Sequence, residues 1–136
     1  MTPQPTLDEV AVVVEESRAA GAPITFEIAG DAARVAPSVQ AAVYRLVQEG
    51  LTNARKHAAH APVRVTLRHL PGILKVVIDN DPPTQPAPAP LPSGGHGLTG
   101  LSERVSMLGG TVDWTARQDG GFRVTATFPV PDEPQC

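Results

Sequence analysis

Apolar residues recur at three- and four-residue spacing in three segments of the chain, and this period predicts three amphipathic helices. The stripes are Leu7, Val10 and Val14 in the first helix, Val39, Ala42 and Leu46 in the second, and Leu98, Leu101, Val105 and Leu108 in the third. Gly21 ends the first pattern, and Gly109-Gly110 ends the third. The second helix begins near Pro37, whose missing N–H costs nothing in a first turn, and runs to about residues 57–59.

Apolar and polar residues alternate in five further segments, which predicts five β-strands. The segments are 24–28, 63–67, 74–78, 111–116 and 122–128. Pro71-Gly72 joins the second and third strands in a hairpin, and Asp119-Gly120-Gly121 joins the last two. These elements predict an α+β fold, a two-layer α/β sandwich in which a mixed, mostly antiparallel sheet carries three helices on one face.

A proline-rich loop separates the third strand from the third helix. Six prolines lie between Asp81 and Gly95, and proline removes the backbone donor that helices and inner strands need. A loop of this length in a compact domain is usually functional or disordered, and this one can act as a lid. We expect one domain over residues 5–130 and a disordered tail at 131–136.

Composition fits a cytoplasmic domain. The 136 residues are 41% hydrophobic, which is enough for one core, and the net charge of −3 is spread along the chain, so we expect no nucleic-acid partner. Apolar runs are far shorter than the roughly 20 residues that span a bilayer, so we expect no membrane contact. The first five residues do not resemble a signal peptide. Cys136 is the only cysteine, which excludes an intrachain disulfide and fits a reducing compartment.

The apolar stripe of the second helix becomes polar towards its C-terminal end. At the same spacing it continues as Glu49, Asn53 and Lys56, with His57 beside them. Such groups are costly to bury without partners, so this face is expected to meet a polar cavity or a ligand. Amide and carboxylate oxygens suit Mg²⁺, a lysine or histidine can neutralise phosphate, and a carboxylate can orient a nucleophile. A solvated helix end explains the spacing equally well.

Glycines stand immediately before the expected start of the third helix, in the segment Gly94-Gly95-His96-Gly97. Glycine lets the backbone approach an anion, and a helix N-terminus offers unpaired N–H groups. The cluster is not a P-loop, because no Gly-Lys-Ser/Thr follows, and it is not a dinucleotide fingerprint, because it follows a loop instead of a strand. Glycines also end flexible loops, so the cluster alone is weak evidence.

Three segments together resemble the ATP-binding motifs of sensor histidine kinases of the nitrate-sensor type, which act on LuxR-type response regulators. Residues 45–58, RLVQEGLTNARKHA, resemble the N box. Residues 77–80, VIDN, look like the first glycine box, and residues 94–105, GGHGLTGLSERV, look like the second. The resemblance covers roughly residues 5–130 and implies the Bergerat fold shared by gyrase, the Hsp90 chaperones, histidine kinases and MutL.

The resemblance also implies site residues, with ATP and Mg²⁺ as cofactors. Asn53 matches the asparagine that holds Mg²⁺, and Asp79 matches the aspartate that reads the adenine amine. Glu49 matches the acid that activates water in the ATPase relatives, and it is the implied catalytic residue. Nucleotide-binding positions are further implied at Lys56, His57, Gly95, His96, Gly97, Leu98 and Gly100.

Two positions depart from the family pattern. Asp81 stands where the family usually has glycine, and its side chain and charge would crowd the adenine or weaken ATP binding. Phe122 stands near the place of a threonine in the last hairpin, where it either covers the base or belongs to the core. At Asp79 a carboxylate can also simply turn the chain at a strand end.

The implied activity is transfer of the ATP γ-phosphoryl group to a histidine on a separate dimerisation domain, and from there to a response regulator. No segment of the chain resembles the upstream helices that carry that histidine, so we expect a monomer that binds ATP without phosphorylating itself. Two alternatives remain. One is a degenerate interaction module with weak ATP binding, and the other is an ATPase or an anti-sigma-factor-type serine kinase of the same fold.

Overall fold

A computed structural model of the chain describes residues 5–30, 35–58, 60–83 and 95–130. The helices are α1 (Leu7–Ala19), α2 (Pro37–His57) and α3 (Gly95–Met107), and the strands are β1 (Ile24–Ala29), β2 (Val63–Leu70), β3 (Ile73–Asn80), β4 (Thr111–Ala116) and β5 (Phe122–Pro129). All eight predicted elements are therefore present. The tail at 131–136 and residues 84–94 of the predicted lid lie outside the described residues.

The five strands form one sheet in the order β1-β2-β3-β5-β4. β1 and β2 are parallel, because α2 lies between them in the chain and carries it back across the sheet, and the other pairs are antiparallel. Gly72, at a φ of +77°, turns the chain between β2 and β3, where a side chain would be strained. The predicted mixed, mostly antiparallel sheet is confirmed.

The core lies on one face of the sheet, between the strands and the helices. Its fully buried side chains come from alternate strand positions and from the helical stripes: Val65, Leu67, Val76, Ile78, Val124, Ala126 and Phe128 from the sheet, and Val10, Val14, Ala42, Val43, Leu46, Val47 and Val105 from the helices. The opposite face, here called the outer face, carries the intervening residues, which are mostly polar or charged. The predicted two-layer α+β sandwich is confirmed, because a sheet with one apolar face buries it against helices.

Chain connections bring the termini of several helices and strands to one end of the sheet. Only residues 58–62 separate the end of α2 from Val63 in β2, and Val63 pairs with Asn80 at the end of β3. At the opposite end of the sheet, Gly110 joins α3 to β4, and a Cβ added to Gly110 would lie 2.2 Å from the Thr127 carbonyl O. The N-terminal end of α3 therefore points to the first end of the sheet. We call this first end, where α2 and β3 end and α3 and β5 begin, the motif edge.

No helix within the described ranges has the length and apolar character to cross a membrane.

Candidate functional site

Helix α2 carries its polar residues towards the motif edge. Gly50 is buried, and a Cβ added there would lie 2.8 Å from the Ile78 side chain, so α2 packs directly on β3 at this point. Glu49 and Asn53 are half-buried and four residues apart, which makes them neighbours on one helix face, while Lys56 is exposed. The sequence correctly predicted a polar end to the buried stripe, and the close packing at Gly50 places that end over the sheet.

The predicted polar residues lie on the flank of α2 that faces away from α1. A cavity of about 360 Å³ lies between α1, β1 and α2, and its lining on the α2 side includes Gln48, Thr52 and Arg55. Asn53 projects about 160° around the helix from Arg55, because each residue turns an α-helix by about 100°. Neither Glu49 nor Asn53 lines that cavity. The flank with Asn53 is therefore the one on the side of α3.

Gly95, His96 and Gly97 of the glycine cluster form the first turn of α3. The helix begins at Gly95 and not after Gly97 as predicted, since glycine is disfavoured within a helix by only about 1 kcal/mol and does not exclude it. Positions 95–98 thus lie at the motif edge, although the side chains of residues 95–99 and of His57 are outside the described part of the chain. Gly100 is exposed, and a Cβ there would meet no heavy atom within 4 Å.

Asp79 lies on the outer face of the sheet. Its side chain points away from the face on which the preceding residue, Ile78, is buried. Both of its carboxylate oxygens accept hydrogen bonds from arginines. Arg117 Nη1 donates to Oδ1 at 2.9 Å, and Arg123 Nη2 donates to Oδ2 at 2.9 Å. The structure therefore does not bring Asp79 together with the polar flank of α2, which packs on the other face.

Arg117 is the centre of this outer ion-pair cluster. Beyond Asp79, it donates to Asp81 Oδ1 at 3.2 Å, to Asp119 Oδ2 at 2.5 Å and to the backbone carbonyl O of Asn80 at 3.1 Å. Desolvation lowers the pKa of the guanidinium, but hydrogen bonds to Asp81 and Asp119 and the charge of Asp79 raise it above its usual value. The cluster links the end of β3 to the β4–β5 hairpin.

Asp119 closes the turn of that hairpin. Its Oδ1 accepts a hydrogen bond from the Gly121 N–H at 2.9 Å. This bond holds the pKa of the Asp119 carboxyl below its usual value, desolvation opposes the shift, and Arg117 adds to the lowering. Asp81, the residue that replaces the family glycine, is half-buried and has its charge paired by Arg117.

Asn80 is the polar residue on the helix-facing side of the strand end, and motif matching missed it. It is 8% exposed and is the one buried polar or charged side chain within the described ranges. Its Nδ2 makes a long hydrogen bond of 3.4 Å to the Asp81 carbonyl O. The alternation Leu74, Val76, Ile78, Asn80 is visible in the sequence and was the signal that could have found it.

Aromatic side chains lie beside Asn80 on the same face. Phe122 is the cross-strand partner of Asn80, and its ring centroid is 6.4 Å from that of Trp114, at an interplanar angle of 34°. The Trp114 indole Nε1 is buried and has no hydrogen-bond partner among the residues that the structure describes. Phe122 thus covers the helix-facing side of the strand end with apolar surface.

The donor set at the motif edge fits a magnesium ion that arrives with phosphates. Asn53 and Glu49 offer an amide oxygen and a carboxylate one turn apart, and Mg²⁺ prefers oxygen ligands and keeps several from water and substrate phosphates. Within the described ranges, no group of three or more His, Cys, Asp or Glu side chains is placed to hold a metal ion. These residues would therefore hold a nucleotide-bound Mg²⁺ better than an ion caged by protein alone.

The fold is a two-layer α/β sandwich, and the polar residues of α2 at one end of its sheet suit a nucleotide with its metal ion. The chain matches, over residues 38–132, the family described as histidine kinase-, DNA gyrase B-, and HSP90-like ATPase. The chain belongs to this family, and its similar proteins are histidine kinases.

Two curated relatives and one solved structure give the extent of the similarity. The sensor histidine kinase LnrJ of Bacillus subtilis is 32% identical over 82% of this chain and 27% of its own length. The signal transduction histidine-protein kinase/phosphatase DegS of Brevibacillus brevis is 32% identical over 95% of this chain and 33% of its own length. The histidine kinase domain of a blue-light activated histidine kinase from Erythrobacter litoralis is 25% identical, with a TM-score of 0.67 over 91% of this chain and 59% of that chain. The chain thus spans about a third or less of these curated relatives.

Proposed function

We propose that this chain is the ATP–Mg²⁺-binding catalytic domain of a two-component sensor histidine kinase. In this proposal it transfers the γ-phosphoryl group of ATP to a histidine on a separate dimerisation domain. The observation that supports it most is that the polar flank of α2 and the start of α3 lie towards the same end of the sheet, in a chain of the histidine kinase-like ATPase family.

The motif residues of α2 and α3 have defined tasks in this proposal. The Asn53 amide oxygen ligates Mg²⁺, which supplies charge neutralisation to the phosphates when bound. Lys56, His57 and the first turn of α3, residues 95–98 with Gly100 behind them, contact the phosphates, since unpaired N–H groups at a helix start favour anions. Glu49 orients the attacking group one turn from Asn53. Catalysis then rests on positioning, as in other phosphoryl transfers.

The proposed partners follow from the motif resemblance. The phosphoacceptor lies on helices outside this chain, and the phosphoryl group passes on to a response regulator of the LuxR type. We propose that the domain by itself is monomeric, works in the cytoplasm and does not phosphorylate itself.

Replacing Asn53 tests the metal and nucleotide site. We expect Asn53→Ala to weaken Mg²⁺-dependent ATP binding by at least about tenfold, because the ion loses a protein ligand. Gln48→Ala is the matched control: it removes the same amide from the α1 flank of the same helix, and we expect less than about a twofold change. Isothermal titration of ATP in Mg²⁺ and in EDTA measures both. Wild-type affinity in Asn53→Ala would contradict the proposal.

The ATPase alternative shares this site and differs in the acceptor. Hydrolysis requires Glu49 to activate water, whereas a kinase domain transfers the phosphoryl group only when its acceptor histidine is present. We expect no phosphate release by the chain alone above the uncatalysed rate. Steady release that Glu49→Gln abolishes would favour an ATPase instead.

The degenerate-module alternative rests on the departures at Asp81 and Phe122, and the charge of Asp81 is expected to crowd the adenine or weaken ATP binding. In the structure Asp81 pairs with Arg117, whose other partners belong to the outer cluster. That argument for weak ATP binding therefore loses its support.

A further inference from the structure

We propose that Asn80, and not Asp79, contacts the purine base, and that its carboxamide lets the site accept guanine as well as adenine nucleotides. This inference rests on the proposed function, because it assigns the base-binding residue of the same nucleotide site. It departs from the motif resemblance by one residue, and in a strand one residue changes the face of the sheet.

Packing of α2 on β3 sets the position of Asn80 relative to the metal-binding flank. Ile78 meets Gly50 at the helix–strand contact. Two residues further along β3, about 6.6 Å, lies Asn80 on the same face. Three residues further along α2, about 4.5 Å, lies Asn53. Both steps lead towards the motif edge, so the two amides stand on the same side of the sheet and at the same end of the packed layer.

Asp79 is not available to a ligand on that side. Both of its oxygens are occupied by Arg117 and Arg123, and the carboxylate lies behind the backbone of β3. The Asn80 side chain, in contrast, has unused hydrogen-bonding capacity. Apart from the long bond from Nδ2 to Asp81, no hydrogen bond to its side chain is found within the described ranges. A carboxamide offers two donor hydrogens and an acceptor oxygen, so most of its hydrogen-bonding capacity is free.

The surroundings of Asn80 suit a flat apolar ring. Phe122 lies directly across from it on β5, with Trp114 against the Phe122 ring. Nucleotide and cofactor sites typically combine such apolar walls with a few polar groups that fix orientation. A buried amide at the edge of an aromatic surface is that arrangement.

The amide changes which base fits. Adenine presents an amine donor at N6, whereas guanine presents an acceptor, O6, at the same place. An ionised carboxylate can only accept, so it pairs with adenine and repels guanine O6. A carboxamide turned by 180° exchanges donor for acceptor with little change of shape. Asn80 can therefore pair with either base, whereas an aspartate there would select adenine.

Titration of the whole 136-residue chain with ATP, inosine triphosphate and GTP in Mg²⁺ tests this, read from Trp114, the only tryptophan, and by calorimetry. We expect the wild type to bind the three nucleotides within about tenfold of one another. Asn80→Asp should raise the preference for ATP over GTP at least about tenfold, because the donor for O6 is lost. Asn80→Ala, which carries no buried charge, should weaken all three by about three- to tenfold.

Asp79→Asn is the matched control, since it exchanges the same two groups one residue earlier, on the outer face. We expect it to leave all three affinities within about twofold. The inference is overturned if the wild type prefers ATP to GTP by more than about tenfold, or if Asp79→Asn changes the affinities and both Asn80 variants do not.

Asn53→Ala in the same titration separates the two proposals. If it removes ATP binding while both Asn80 variants bind like the wild type, the proposed function stands and this inference fails. If the folded wild type binds none of the three nucleotides, both the proposed function and this inference fail.

Discussion

Asp79 and Asn80 are neighbours in the chain, yet they stand in two different environments at the end of β3. On the outer face, Asp79 is saturated by hydrogen bonds from Arg117 and Arg123. On the helix-facing side, Asn80 is buried beside Phe122 and keeps most of its hydrogen-bonding capacity. A polar group that is fully paired within the protein serves the fold. One that is buried and sparsely paired is costly to the fold and suited to a ligand.

The outer cluster supports the helix-facing side from behind. Arg117 reaches Asp79, Asp81 and the Asn80 backbone from the far end of the β4–β5 hairpin. It therefore holds the strand end against the hairpin that carries Phe122. Each of the following changes disturbs one side or both.

Gly121→Ala should have the largest effect, because it disturbs both sides. An added Cβ would lie 2.5 Å from the Asn80 carbonyl O and 3.1 Å from the Arg117 guanidinium, so the start of β5 must move away from β3. We expect the free energy of unfolding to fall by about 1–3 kcal/mol. Urea titration followed by circular dichroism measures it. Gly100→Ala, where a Cβ meets open space, is the control and should not destabilise.

Phe122→Ala should act on the helix-facing side alone. Removing a half-buried ring that contacts Trp114 should cost about 1–2 kcal/mol of unfolding free energy, less than for a fully buried ring. We expect the Trp114 emission to shift to longer wavelength and ATP affinity to fall. An unshifted emission spectrum, or unchanged ATP affinity, would show that this ring is not part of the base-binding surface.

Arg117→Met should act on the outer face alone. It removes the bonds to three carboxylates and to the Asn80 carbonyl while keeping an apolar stem. We expect a lower thermal midpoint than in the wild type, with ATP affinity changed by less than about threefold, because partly exposed ion pairs contribute modestly. A loss of ATP binding as large as in Asn80→Ala would break the distinction between the two sides.

Acid should weaken the outer ion-pair cluster, and we expect this effect on stability to be the smallest of the four. The pKa of Asp119 is lowered in the folded protein, so its contribution to stability is full above the unfolded value of 3.8 and is lost as pH falls towards the folded value. Thermal melts of the wild type and Asp119→Asn should therefore differ at pH 6 and converge as the pH falls below the unfolded value. A difference that stays constant over this range would mean that the charge of Asp119 does not contribute.

Periodicity predicted every helix and strand, because one buried face imposes a period of 3.6 residues on helices and of two on strands. The start of α3 was placed too late, since glycines read as loop residues although they also occur in first turns. The spacing on α2 predicted that Glu49 and Asn53 share one helix face, and the structure has them so. The motif match did not single out Asn80, because motif letters do not show which face of a strand each residue occupies.

The outer cluster was beyond prediction from the sequence. Arg117 lies outside the periodic segments and 38 residues from Asp79. Their contact depends on the pairing of β3 with β5, and the alternation of a strand specifies its buried face but not its neighbour.

The decisive experiment is a crystal structure of the chain with Mg²⁺ and a non-hydrolysable ATP analogue. We expect the metal at the Asn53 amide oxygen and the base within hydrogen-bond distance of the Asn80 carboxamide, with Asp79 still held by Arg117 and Arg123. A base bonded to Asp79, or a nucleotide in the cavity between α1 and α2, would contradict it.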